Sequence, residues 1–160
     1  MLFRSKVLNE IEESKDYEIA DEIPFRHNGP GFHNGRRARL YIFDRRNNSM
    51  TPITDEWQNV EFVEARGTQV LYTAMHFYKE KRMGLTTGIY TYDIETKGNI
   101  QLLDEDIYRI RHCGYMDDKI VFAASDMKTY GPNENPFFYL IEDGKVKLIA
   151  EYQESANNSV

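Results

Sequence analysis

Three five-residue segments of this chain superimpose at a fixed interval, and that repeat restricts the architecture more than any other feature. Leu40-Tyr41-Ile42-Phe43-Asp44, Ile89-Tyr90-Thr91-Tyr92-Asp93 and Phe138-Tyr139-Leu140-Ile141-Glu142 follow one another 49 residues apart. Each is an apolar, aromatic-rich run that ends in an acid. A short polar turn comes next, then a second apolar stretch at residues 51–54, 100–103 and 146–149. Upstream, Leu71-Tyr72-Thr73-Ala74 overlays Ile120-Val121-Phe122-Ala123 at the same offset. A unit of this length with four short strands is the pattern of a β-propeller blade.

The local patterning agrees with strands throughout. Helical spacing fits only Val7, Leu8 and Ile11, enough for one or two turns. Tyr17, Ile19, Ile23 and Phe25 alternate, and Val60 and Phe62 share one parity, as half-buried strands require. Residues 70–75 and 120–124 are apolar on both faces, which places them inside stacked sheets. Turn chemistry interrupts the runs at Asn47-Asn48-Ser49, Arg66-Gly67, Lys97-Gly98-Asn99, Asp117-Asp118 and Asp143-Gly144.

The expected fold class is therefore all-β: a β-propeller fragment of about three four-stranded antiparallel blades, over residues 1–56, 57–105 and 106–152. The middle blade is predicted to use strands 58–65, 69–77, 88–94 and 99–104, and the next one 107–114, 118–125, 136–142 and 145–151. The leading blade takes strands near 17–26, 39–44 and 50–54. Closed propellers need about four to eight blades. Open blade faces are apolar, so the expectation is either a piece of a longer chain or homo-oligomers that cover those faces.

Composition removes several classes. Aromatic residues make up 13% of the 160 residues, too many for a disordered chain even with 29% charged residues. No apolar run reaches the 18 or more residues of a spanning helix, so no membrane partner is expected. The net charge of −6 argues against a nucleic-acid partner. Its local exception, Arg36, Arg37, Arg39, Arg45 and Arg46, is expected to be a solvated or domain-facing surface. The single cysteine, Cys113, excludes an internal disulfide and fits a cytoplasmic location.

Little in the sequence points to catalysis. None of the six serines lies in a Gly-x-Ser-x-Gly elbow. His112 and Cys113 are adjacent on a strand and point to opposite faces, so they cannot pair there. His27, His33, His76 and His112 show no metal-ligand spacing, the acid pairs lack a calcium loop, and neither a metal nor a cofactor is expected. The strand-ending Asp44, Asp93 and Glu142 are expected to cap the turns that follow them. Three loops, Asn28-Gly29-Pro30-Gly31-Phe32, residues 78–87 and residues 126–135, are predicted to join second to third strands and to emerge on one face. In the first, Asn28, Gly29, Gly31 and Phe32 are the candidate functional positions. Its glycine spacing is not that of a dinucleotide-binding loop.

The run Asp16-Tyr17-Glu18-Ile19-Ala20-Asp21-Glu22-Ile23-Pro24-Phe25-Arg26-His27-Asn28-Gly29-Pro30-Gly31-Phe32, then Arg36-Arg37 and Leu40-Tyr41-Ile42-Phe43-Asp44, resembles the propeller of prolyl-oligopeptidase-family (S9) serine peptidases, closest to the acylaminoacyl-peptidase-like branch. The strand is followed by Ile53-Thr54-Asp55, which is similar to the branch's Leu/Ile-Thr-Asp ending. The resemblance implies a non-catalytic propeller that gates and orients peptide substrates for an α/β-hydrolase domain bearing the triad. No hydrolase domain is present in this sequence, so no catalytic residue carries over. Glu22, Arg26, Arg36 and Arg37 are the implied substrate-contact candidates. A stand-alone interaction module completed by homo-oligomerisation is the alternative expectation.

Overall fold

The computed structural model describes residues 22–23, 26–27, 31–32, 35–77 and 83–151. The chain divides into two compact units, Met1–Gly35 and Arg36–Val160, a boundary that falls inside the first predicted blade. Among the described residues every long element is a strand, and the one helical piece is a single 3-10 turn, Gly131–Asn133. The chain is all-β, and the four sheets of the described residues are antiparallel, none of them closed. No helix of the described residues is long and apolar enough to cross a membrane.

In the first unit, β1 (Arg26–His27) pairs with β2 (Gly31–Phe32), Arg26 opposite Phe32. Gly31 and Phe32, expected in a loop, thus lie in a short strand. Of the strand predicted near 17–26, residues 17–21 and 24–25 lie outside the described residues, as do Asn28 and Gly29. Glu22 is 5% exposed and accepts a 2.9 Å bond from the backbone N–H of Gly35.

The second unit begins with a hairpin, β3 (Tyr41–Asp44) and β4 (Ser49–Pro52). Two four-stranded meanders follow. One comprises β5 (Gln58–Arg66), β6 (Gln69–His76), β7 (Gly88–Asp93) and β8 (Asn99–Leu103). The other comprises β9 (Arg109–Met116), β10 (Lys119–Ser125), β11 (Phe137–Glu142) and β12 (Lys145–Ala150). In both, strands neighbour one another in chain order. The eight strands expected here are all present, within two residues at each end.

The two meanders are equivalent down to their irregularities. Tyr72 opposes Tyr90 and the rings stack at 5.2 Å; Phe122 opposes Tyr139 and those rings also stack at 5.2 Å. A bulge interrupts the first pair of strands in each sheet, between Val60 and Val63 and at Arg111. A second bulge interrupts the last pair, at Leu102 and at Ile149. One-residue bulges kink and twist a strand, so matched bulges give the two sheets the same curvature.

Two expectations need correction. Third strands are 49 residues apart, but Thr73 opposes Ile89 whereas Ala123 opposes Phe138, so second strands are offset by 50. The overlay of Leu71 on Ile120 is therefore one residue out of register, and in a strand one residue exchanges the two faces. Likewise Val60 and Phe62 do not share a face. The bulge between them leaves Val60 in the cluster with Tyr72, Ala74 and Tyr90, while Phe62 meets the ring of His112 edge-on at 5.4 Å.

Successive sheets bury their apolar faces on one another. Leu40, Ile42 and Ile53 of the hairpin pack against Val60, Tyr72, Ala74, Tyr90 and Tyr92. Leu71, Ile89 and Leu103 on the opposite face pack with Ile110, Cys113, Phe122, Ala124 and Tyr139. Cys113 is the buried small residue expected, and burial pushes its thiol up to about 12. The two first strands are also tied to the preceding segment at equivalent positions, through different acceptors. The N–H of Val60 donates to the Ala38 carbonyl at 2.8 Å, and that of its counterpart Ile110 donates to the Thr87 hydroxyl at 3.4 Å.

Gly88, the first residue of β7, is where the backbone leaves no room for a side chain. A Cβ there would sit 2.8 Å from the Leu103 carbonyl oxygen and 2.8 Å from Glu105 Cγ. The carbonyl belongs to the partner strand and cannot step aside. Gly88→Ala is expected to cost about 1–3 kcal/mol, the usual range for overpacking. A urea midpoint unchanged from the parent protein would contradict that crowding.

Candidate functional site

Strand register sorts the connections into two ends. Gln58 faces His76 at one end of the first meander, and Arg66 faces Gln69 at the other. The second end carries only tight turns. There the Asp44 carboxylate accepts the Arg46 N–H at 2.8 Å, and Asp93 accepts those of Glu95 at 2.9 Å and Thr96 at 2.7 Å. These are the turn caps expected, and the bonds from Thr96 above all hold the Asp93 carboxyl below the usual carboxylate range. Glu142 departs from the pattern. Its longer side chain pairs with Lys119 at 2.6 Å and with Lys147, which bring its carboxyl down to about 2. Arg66 ties the two meanders together here through the Asp117 carbonyl and Asp118.

The first end carries the long connections, and it gathers the chemistry. His76 closes β6 between two carboxylates. Its Nδ1 lies 2.7 Å from Glu105 Oε1, its Nε2 lies 3.2 Å from Asp55 Oδ2, and its backbone N–H donates to Glu105 Oε2 at 2.9 Å. The Tyr90 hydroxyl donates to the same Glu105. Partial burial works against the imidazolium, but Glu105 and then Asp55 outweigh it, and the His76 pKa is raised above 6.5. Burial, then Glu105, pushes the Tyr90 phenol far above its ordinary value.

An open cleft of about 410 Å³ adjoins this cluster, lined by His76, Tyr90, Gln101, Asp104, Glu105 and Asp106 among others. Both imidazole nitrogens are engaged by acids, so neither can take a proton from a nucleophile. Among the described residues, the cleft lining holds no Ser, Thr or Cys for His76 to activate. The arrangement is a charged staple: it fastens the β4–β5 and β8–β9 connections to the end of β6. Asp55 also accepts the N–H groups of Trp57 at 2.7 Å and Gln58 at 3.0 Å, fixing the entry to β5.

The residues expected to contact substrate are distributed unevenly. Arg37 is built into the second unit, its guanidinium 4.2 Å from the Phe77 ring centroid and 5.0 Å from that of Trp57. Such cation–π contacts fix a guanidinium in place. Arg36 beside it is exposed. Arg26 and Phe32 pair in the β1–β2 ladder of the first unit. The five arginines between 36 and 46 form no single surface: Arg37 and Arg39 pack on aromatic rings, and Arg45 and Arg46 sit in the turn beyond β3. The cluster around His76 had no local signature, because Asp55, His76, Tyr90 and Glu105 come from four separate segments. One signal was present: the acid pair Asp55-Glu56 recurs as Asp104-Glu105 at the 49-residue interval, both in connections between successive sheets.

No protein-family model matches this chain, and no curated protein matches it.

Proposed function

We propose that the chain is made of β-propeller blades and serves as the non-catalytic propeller of a serine oligopeptidase-like protein, gating and orienting peptides for a separate α/β-hydrolase domain. The observation that carries the propeller is the repetition of register: two meanders with the same stacked ring pair and the same two bulges. Contacts between meanders also concentrate where β9 lies against β5 and β6, the inner strands of a fan. The peptidase context rests on the resemblance of residues 16–32 and 40–44. The staple at His76 supports a non-catalytic role, since it spends both imidazole nitrogens on structure.

Incubating the full chain with fluorescent N-acyl and proline-containing peptides tests this. The peptides should bind, raising their anisotropy, and should remain uncleaved. Absence of binding, or turnover blocked by a serine-directed inhibitor, would overturn the proposal.

A second reading, an interaction module completed by self-association, is favoured by the face of β9–β12 turned away from the first meander. Ile89 is fully buried, yet its counterpart Phe138 is 39% exposed, and Ile149, the counterpart of Leu102, is 49% exposed. In sedimentation, a defined dimer supports this module and a stable monomer counts against it.

A further inference from the structure

We propose that the two first-strand bulges form a binding site for a small aliphatic monocarboxylate. The inference stands on local geometry and is independent of whether the sheets fan into a propeller. In β5 the bulge sets Glu61 and Phe62 together opposite Thr73, and in β9 it leaves Arg111 without a partner on β10. Bulges re-aim side chains and are enriched beside binding sites. Here they bring Glu61, Arg111 and the neighbouring Arg109 to one cavity of about 130 Å³. Met75, Met83, Leu85 and Ile110 supply its apolar wall.

The two arginines are held but not neutralised. Arg109 donates to the Pro132 carbonyl at 2.6 Å and Arg111 to the same oxygen at 3.4 Å. A single neutral carbonyl thus anchors two guanidinium groups. Arg111 lines the cavity with Arg109, and its Nε, shielded from water, makes no hydrogen bond. Loss of hydration, followed by the nearby charge of Arg109, destabilises the Arg111 cation. Glu61 offsets part of this, but among the described lining residues two cations face one anion, and loss of hydration raises the Glu61 carboxyl.

A carboxylate meets these conditions: it offers the Arg109 and Arg111 guanidinium groups an acceptor of the charge-assisted kind they favour, and it balances the excess positive charge. The methionine and aliphatic wall takes its tail. At about 30 Å³ per water of liquid volume, the space suits an acid of a few carbons, either free or as the C-terminus of a peptide ending in a small residue.

The test is a titration of the full chain with isobutyrate, isobutyramide and N-acetyl-Ala-Ala, followed by the Arg Nε–H resonances. Isobutyrate should shift the Arg111 signal saturably and the uncharged amide should not. Arg111→Gln should weaken isobutyrate binding by about tenfold or more, since it removes the charged donor. Glu61→Gln, a near-isosteric change that removes the anion beside the two guanidinium groups, should tighten binding several-fold. Tighter binding of N-acetyl-Ala-Ala than of isobutyrate identifies a peptide terminus, and the reverse identifies a free acid; both support the site. Equal binding of acid and amide, no saturable shift, or weaker binding in Glu61→Gln would overturn it.

Discussion

Phe122→Ala should remove about 3–5 kcal/mol of folding stability, the range for truncating a buried aromatic ring. Phe122 is 2% exposed and stacks on Tyr139, and the Tyr108 ring meets it edge-on at 5.7 Å. It fills the space between the two meanders with Leu71, Ile89 and Leu103, so its loss opens a cavity lined from both sheets. At about 2–4 °C per kcal/mol for a chain of this size, the melting temperature should fall by roughly 6–20 °C. The control is Phe138→Ala, one strand away on β11 and 39% exposed, where the loss should be about 1 kcal/mol or less. Equal losses at the two sites would mean that the meanders do not pack as described.

Glu105→Ala should cost about 2–4 kcal/mol, because one carboxylate accepts from three donors and charged hydrogen bonds contribute about 1.5–3 kcal/mol each. The donors are the His76 backbone N–H, the His76 ring and the Tyr90 hydroxyl. The sum is discounted because water can reach part of the site: the Glu105 side chain is 16% exposed and that of His76 38%. The substitution should also change the pH profile. The folded pKa of His76 is raised above the ordinary 6.5, so the folded state binds more protons than the unfolded chain in that window. Its contribution is complete below about 6.5 and is lost as pH rises through the folded value. Urea unfolding of the parent protein should therefore show stability declining above about pH 6.5, and Glu105→Ala should flatten that decline. A variant that keeps the parent slope would show that Glu105 does not hold the imidazolium.

The strands were legible because their boundaries are chemical. Lys97, Asp117 and Asp143 adopt positive φ at turns that the sequence marked by residue type. The faces of the second strands were not legible, for a physical reason. Residues 70–75 and 120–124 are apolar on both sides, so parity carries no information, and a one-residue slip still lays apolar on apolar. The true offset depends on the connection to the third strand. Ala74 opposes Gly88 and Ala124 opposes Phe137, which makes the second connection one residue shorter. The bulges at Phe62 and Arg111 were equally hidden, because alternation cannot reveal an extra residue until its partner strand is known. With them went Glu61 and Arg111 as neighbours of a cavity. The turn caps at Asp44 and Asp93 were readable because they act within three residues, whereas the Glu142 pairing with Lys119 depends on a neighbouring strand.

The central proposal, that equivalent sheets fan about a shared axis, is tested most directly by spin-label distances among Thr51, Ile100 and Lys147. These residues pair with Ile42, Thr91 and Leu140, so they occupy the same place on three successive outer strands, and all three are exposed. Cys113 is buried and leaves the labelling selective. In a propeller of about four to eight blades, the 51–100 and 100–147 distances are equal within the label spread, and the 51–147 distance is shorter than their sum by roughly 8–30%. Three collinear labels would indicate a straight stack, and two unequal neighbour distances would mean that the sheets are not repeats of one spoke; either result would contradict the propeller.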